Sequence, residues 1–224
     1  SFAARWTALV LVASMMFFAY MFVDVLSPLS TLLESTKGWT AETYGTFCSS
    51  EYFLNVFAFF LIFAGIILDK MGIRFTGILS GSVMVIGAAI KLYAVSDWFT
   101  ADSSLYSFLN SFWTSFPPTA KLASVGFMIF GCGVEMAGVT VSKAIAKWFK
   151  GKEMALAMGL EMAIARVGVF AVFRLSPYLS TYLNEAIPTV VTPVLVCTIL
   201  LLIGLIAYIV FTFMDKTLDR QLGS

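Results

Sequence analysis

The chain has 224 residues, 60% hydrophobic and 12% charged, with a formal net charge of +1. A soluble domain is roughly half apolar and about a quarter charged, so this composition excludes a single water-soluble core and makes a lipid bilayer the expected solvent. The near-neutral balance leaves no footprint for nucleic acid; with no histidine, and with Cys48, Cys132 and Cys197 far apart in apolar stretches, no metal, no cofactor and no enzyme chemistry is expected.

The first apolar stretch runs from Trp6 to Leu33, too long for a signal-peptide core, and is expected to be a span. The second runs from Tyr44 to Leu68 and the third from Phe75 to Ser96. Residues 97–121 form the longest connection, in which Phe108, Phe112, Trp113 and Phe116 precede Pro117-Pro118, a composition suited to an interfacial loop. The fourth, fifth and sixth stretches run from Leu122 to Trp148, Met154 to Tyr182 and Thr189 to Met214. Backbone in hydrocarbon must bond to itself, and the runs are too long and too uniformly apolar for barrel strands, so the fold expected is an all-α membrane protein with six transmembrane helices. The start at Ser1 and the ending Leu222-Gly223-Ser224 read as a domain cut from a longer protein.

Arg5, Lys70, Arg74, Lys147, Lys150, Lys152, Lys216 and Arg220 fall on one side of this arrangement, and Lys37 and Lys121 on the other. Both termini are therefore expected to be cytoplasmic. Trp6, Trp39, Trp98, Trp113 and Trp148 all fall at span ends or in the long connection, where amphipathic rings favour the water boundary.

Two ionisable residues sit deep in the fourth and fifth stretches. Glu135 and Arg166 each lie roughly 20 Å along their helices at 1.5 Å per residue, so they can share one depth near mid-membrane. A charge there costs at least a few kcal/mol and survives mainly where it faces a cavity or a partner. A carboxylate and a guanidinium facing one cavity complement a zwitterion; the alternative is a direct salt bridge fastening two helices. The other span charges are Asp24, Glu51, Lys91 and Arg174 in the outer halves, and Lys143 and Glu161 in the inner half. Their balance predicts two pairing networks, one on each side of a midplane site, as coupling or gating charges or as structural pairs. Glu161 and Asp24 are the candidates for proton coupling, and a uniporter fits as well. The small residues Gly126, Gly131, Gly133, Ala137, Gly138, Gly159, Ala163, Ala165 and Gly168 predict close helix packing.

The segment Gly65-Ile66-Ile67-Leu68-Asp69-Lys70-Met71-Gly72-Ile73-Arg74 reads as a short cytoplasmic turn, with Gly65 permitting close helix approach, Asp69 capping or pairing at a helix end, and Lys70 and Arg74 held at the anionic leaflet. It resembles the signature loop of the major facilitator superfamily at Gly65, Asp69, Lys70, Gly72 and Arg74, while Ile73 stands where that pattern has the first of two adjacent bases. Gly131-Cys132-Gly133-Val134-Glu135, Lys147-Trp148-Phe149-Lys150-Gly151-Lys152-Glu153 and Ala165-Arg166-Val167-Gly168 are similar to the lysosomal dipeptide-transporter branch of that superfamily. The resemblance implies one half of a major facilitator fold, built of two inverted three-helix repeats, with a carboxy-terminal six-helix half as partner and substrate held between the halves. It implies transport of dipeptides or amino acids by alternating access, with Glu135 and Arg166 at the substrate and the Gly65 to Arg74 segment as a gate. A non-transporting membrane scaffold or partner-binding subunit is the alternative. No N-x-Ser/Thr acceptor occurs, which favours a bacterial cytoplasmic membrane over a lysosomal one.

Overall fold

Long apolar runs in a medium without hydrogen-bond partners close their own backbone bonds as helices. The computed structural model of the chain describes residues 2–53, 59–183 and 186–223, and no strand occurs among them. Helix α1 (Phe2–Val23) passes through a 3₁₀ turn (Ser27–Leu29) into α2 (Ser30–Lys37), followed by α3 (Ala41–Ser50), α4 (Phe60–Val95), α5 (Ser104–Leu109), α6 (Pro118–Trp148), α7 (Met154–Tyr182) and α8 (Val191–Gln221). Gly38, at φ +72°, ends α2 with a paired cap in which its N–H meets Glu34 O at 3.2 Å and the Trp39 N–H meets Leu33 O at 3.3 Å. Thr40 then opens α3 by accepting from the Thr43 N–H. Pro118 at the first turn opens α6, where a missing N–H costs nothing.

Among the described residues, five stretches are long and apolar enough to cross a membrane: Phe2–Lys37, Phe60–Val95, Pro118–Trp148, Met154–Tyr182 and Val191–Gln221. The expected second span, 44–68, is not one continuous helix. Helix α3 stops at Ser50, where the Ser49 and Ser50 hydroxyls bond back to Thr46 O and Phe47 O and the Tyr52 N–H tightens onto Ser49 O at 3.2 Å. Residues 54–58 of that expected span lie outside the described residues. The expected turn between the second and third spans is a break inside α4: Gly72 alone leaves helical geometry, at φ 82° and ψ 172°, while its neighbours on both sides remain helical.

Helix α4 packs along α6, α1 lies against both α7 and α8, and α3 leans on α6. The α4–α6 crossing is antiparallel and backbone-close. A Cβ at Gly133 would sit 2.8 Å from Ser80 O, and one at Gly126 would sit 2.7 Å from Gly87 O. Gly168 does the same for α7 against α1, where a Cβ would meet Phe17 O at 2.5 Å. Small residues thus let helices approach where lipid supplies no hydrophobic drive between them. Gly65, Gly138 and Gly159 do not follow the expectation: nothing lies within 4 Å of a Cβ built on any of them. Trp39 lies in the connection between α2 and α3, but it is buried there rather than presented to the boundary. It is 1% exposed, meets the Phe47 ring at a tilt, and donates from Nε1 to Thr119 Oγ1 at 2.9 Å, so its one polar group is satisfied inside the core.

Candidate functional site

The α1, α6 and α7 helices converge on a cavity of about 530 Å³ lined by Tyr20, Glu135, Ser142, Glu161 and Arg166, with Leu61 of α4 at its edge. One contact aligns the helices in depth: the Trp6 and Phe149 rings meet edge-on with centroids 5.2 Å apart. Tyr20 and Glu135 are each 14 residues from that contact, and Arg166 is 13 from Glu153, which pairs with Arg5 at 3.5 Å. At 1.5 Å per residue, all three lie about 20 Å from the end of the bundle that carries both termini.

Glu135 is half-buried, Arg166 exposed to the cavity and Glu161 only 8% exposed. Among the described residues none of the three forms an ion pair, so the direct Glu135 to Arg166 bridge is not made. The expected pairing of Lys143 with Glu161 is not made either. Lys143 turns away to Asp69, 3.5 Å distant, which draws it from the cavity to the α4 break and leaves Glu161 facing the void without a base.

Of the outer charges, Asp24, Glu51 and Lys91 lie in one region of the bundle but do not pair. Lys91 is fully buried, with Nζ 4.4 Å from the Phe22 ring, 4.5 Å from Phe127 and 5.1 Å from Phe47, and 3.5 Å from Phe22 O. Ring faces and a carbonyl stand in for a carboxylate. Glu51 is buried at the end of α3 with its backbone carbonyl against Gly131, Asp24 accepts from the Ser27 hydroxyl at 3.1 Å, and Arg174 faces outward. Among the described residues no ion pair joins these four.

The gate segment is partly drawn into the bundle. Arg74 pairs with Asp215 at 3.6 Å and Asp219 at 3.2 Å; Lys147 pairs with the same two acids, each at 2.9 Å. The Trp148 Nε1 donates to Asp215 Oδ1 at 2.9 Å, and the Asp215 side chain is 1% exposed. The buried Asp215 carboxylate accepts from Lys147 and Trp148, and the Arg74 guanidinium adds a second positive charge beside it at ion-pair distance. Asp69 keeps Lys143, and Lys70 remains exposed. Asp215 and Asp219 escaped the reading of the sequence because they follow the last apolar run; their spacing of four, one helical turn, was the available signal. Tyr20 escaped because an uncharged phenol in an apolar run carries no electrostatic flag.

The chain is 24% identical over 166 residues to the lysosomal dipeptide transporter MFSD1 of Bos taurus, covering 71% of this chain and 31% of that protein. It is 25% identical over the same length to the protein of that name from Homo sapiens, with the same coverage, and 28% identical over 175 residues to that of Danio rerio, covering 75% of this chain and 33% of the relative. The chain therefore spans about a third of the length of the curated relatives it matches. No solved structure gives a significant match. The Major Facilitator Superfamily profile matches residues 10–223, nearly the whole of this all-helical chain, and the chain belongs to that family.

Proposed function

We propose that the chain is the amino-terminal half of a membrane transporter of small zwitterionic solutes, dipeptides above all, that works by alternating access against a second half of similar size. The observation that carries the proposal is the placement of Glu135 and Arg166 on one cavity, at one depth, without an ion pair between them. A carboxylate and a guanidinium held apart in a low-dielectric void are costly unless something bridges them, and an ammonium with a carboxylate does so. A cavity of about 530 Å³ lies within the range usual for small-molecule sites. The names of the matched relatives agree in substrate class. The open, charge-lined void speaks against the sealed scaffold.

Of the two acids considered for proton coupling, Glu161 is the better placed, because it faces the cavity while Asp24 is held by Ser27. The relatives are lysosomal by name, which fits a lysosomal membrane and lends no support to a bacterial one.

The test is uptake of a labelled dipeptide into liposomes carrying the full-length protein, wild type beside Arg166→Ala and Glu135→Gln. Uptake by the wild type that either substitution abolishes, with folding intact, is the expected result. No uptake across a dipeptide panel at acid and neutral pH sinks the substrate assignment.

A further inference from the structure

We infer that the Tyr20 hydroxyl is a third substrate contact, donating to the peptide-bond carbonyl of a dipeptide whose termini are held by Glu135 and Arg166. The inference rests on the reading of the cavity as a dipeptide site and adds the group that tells a peptide from a single amino acid.

Tyr20 lines the cavity from α1, while Glu135 approaches from α6 and Arg166 from α7. The three helices therefore present one neutral and two charged groups to the same void at the same depth. Glu135, Glu161 and Arg166 line the same void as Tyr20, so the phenol shares its cavity with three charged groups. Tyr20 is half-buried, and among the described residues its hydroxyl makes no hydrogen bond, in contrast to Tyr44, which donates to Ser27 Oγ at 2.9 Å, and Tyr208, which donates to Ile73 O at 2.7 Å. A phenol in an apolar span ordinarily finds a partner.

The chemistry of the ligand supplies one. Once the ammonium is on Glu135 and the carboxylate on Arg166, a dipeptide still carries its amide carbonyl, a strong acceptor lying between the two ends. Left without a donor in a cavity closed from water, that carbonyl would disfavour binding. A neutral donor suits it, because a second cation would compete for the substrate carboxylate. A free amino acid has no such carbonyl and gains nothing from the phenol.

Tyr20→Phe removes one oxygen and keeps the ring, so folding is preserved and can be verified by the unchanged melting temperature. In liposomes carrying the full-length protein, the expected result is a KM for a neutral dipeptide raised about three- to tenfold with kcat little altered. The KM for an analogue with a trans carbon–carbon double bond in place of the amide, which keeps the geometry and adds no charge, should be the same in both proteins. Equal KM for the dipeptide in wild type and Tyr20→Phe overturns the contact while leaving the transport reading in place. An equal loss for dipeptide and analogue also overturns it, since the phenol would then act on something other than the carbonyl. No dipeptide uptake by the wild type overturns the transport reading, and this inference with it.

Discussion

Gly87 of α4 and Gly126 of α6 lie on each other's backbones: a Cβ on the first would stand 2.5 Å from the carbonyl oxygen of the second, and a Cβ on the second 2.7 Å from that of the first. The obstacle in both directions is backbone, which cannot rotate away. Gly87→Ala is therefore expected to destabilise the bundle by about 1–3 kcal/mol, the usual cost of overpacking. Gly159→Ala is the control, because nothing lies within 4 Å of its added methyl and a helical glycine replaced by alanine gains up to about 1 kcal/mol. Thermal unfolding in detergent reads both, and a Gly87→Ala protein that melts at or above the wild-type temperature removes the close crossing from the account.

Two aspartates near the same end of the bundle should behave very differently. Asp215, with its side chain 1% exposed, takes Arg74, Lys147 and the Trp148 N–H, while Asp69, 81% exposed, meets only Lys143 among the described residues. Asp215→Asn is expected near the lower end of the roughly 3–5 kcal/mol that breaking a buried pair costs, because Asp219 stays behind for both bases. Asp69→Asn should cost less than about 1 kcal/mol, as exposed pairs do. Comparable losses in melting temperature would show that the buried cluster is not what ties α4, α6 and α8 together.

Gly72 tests conformation without crowding. Its φ of 82° and ψ of 172° lie in a region open essentially to glycine alone, yet nothing lies within 4 Å of a Cβ built there. Gly72→Ala should destabilise by about 1–3 kcal/mol through backbone strain, whereas Gly65→Ala, also unobstructed but helical, should be neutral or slightly stabilising. Near-identical melting of the two variants would mean that the break in α4 is not held by Gly72.

What the sequence made legible was largely set by solvent and chain length. Uniform apolar runs allow only helices in lipid, so the all-helical class followed from composition, and depth counting put Glu135 and Arg166 on one level, where they share a cavity. Pairing was not legible, because it depends on helix rotation and on groups beyond the runs. Lys143 was expected beside Glu161, yet it turned to Asp69; the acids that Arg74 meets, Asp215 and Asp219, lie beyond the last apolar run and were not named as its partners. The ending of α3 was hidden for a related reason: nothing in Ser49-Ser50 as letters says whether their hydroxyls bond to the preceding turn or to another helix. Nothing in the motif marked Gly72 as the residue that leaves helical geometry, which the backbone torsion shows.

Lys91 is the charge hardest to explain as structure. Its ammonium is fully buried among Phe22, Phe47 and Phe127, with a carbonyl at 3.5 Å and no carboxylate within salt-bridge distance among the described residues. Desolvating an ammonium costs several kcal/mol, and each desolvated ring face returns about 2 kcal/mol, so the balance is close. Methionine has nearly the same shape and no charge. Lys91→Met is therefore expected to raise stability by about 1–4 kcal/mol, as apolar replacement of buried charges often does. A charge retained against stability is usually retained for function, so the same variant should lose dipeptide uptake. A Lys91→Met protein that melts lower than the wild type would show that the three rings hold the ammonium better than this balance allows. One that melts higher and transports at the full rate would show that the charge has no part in the transport cycle.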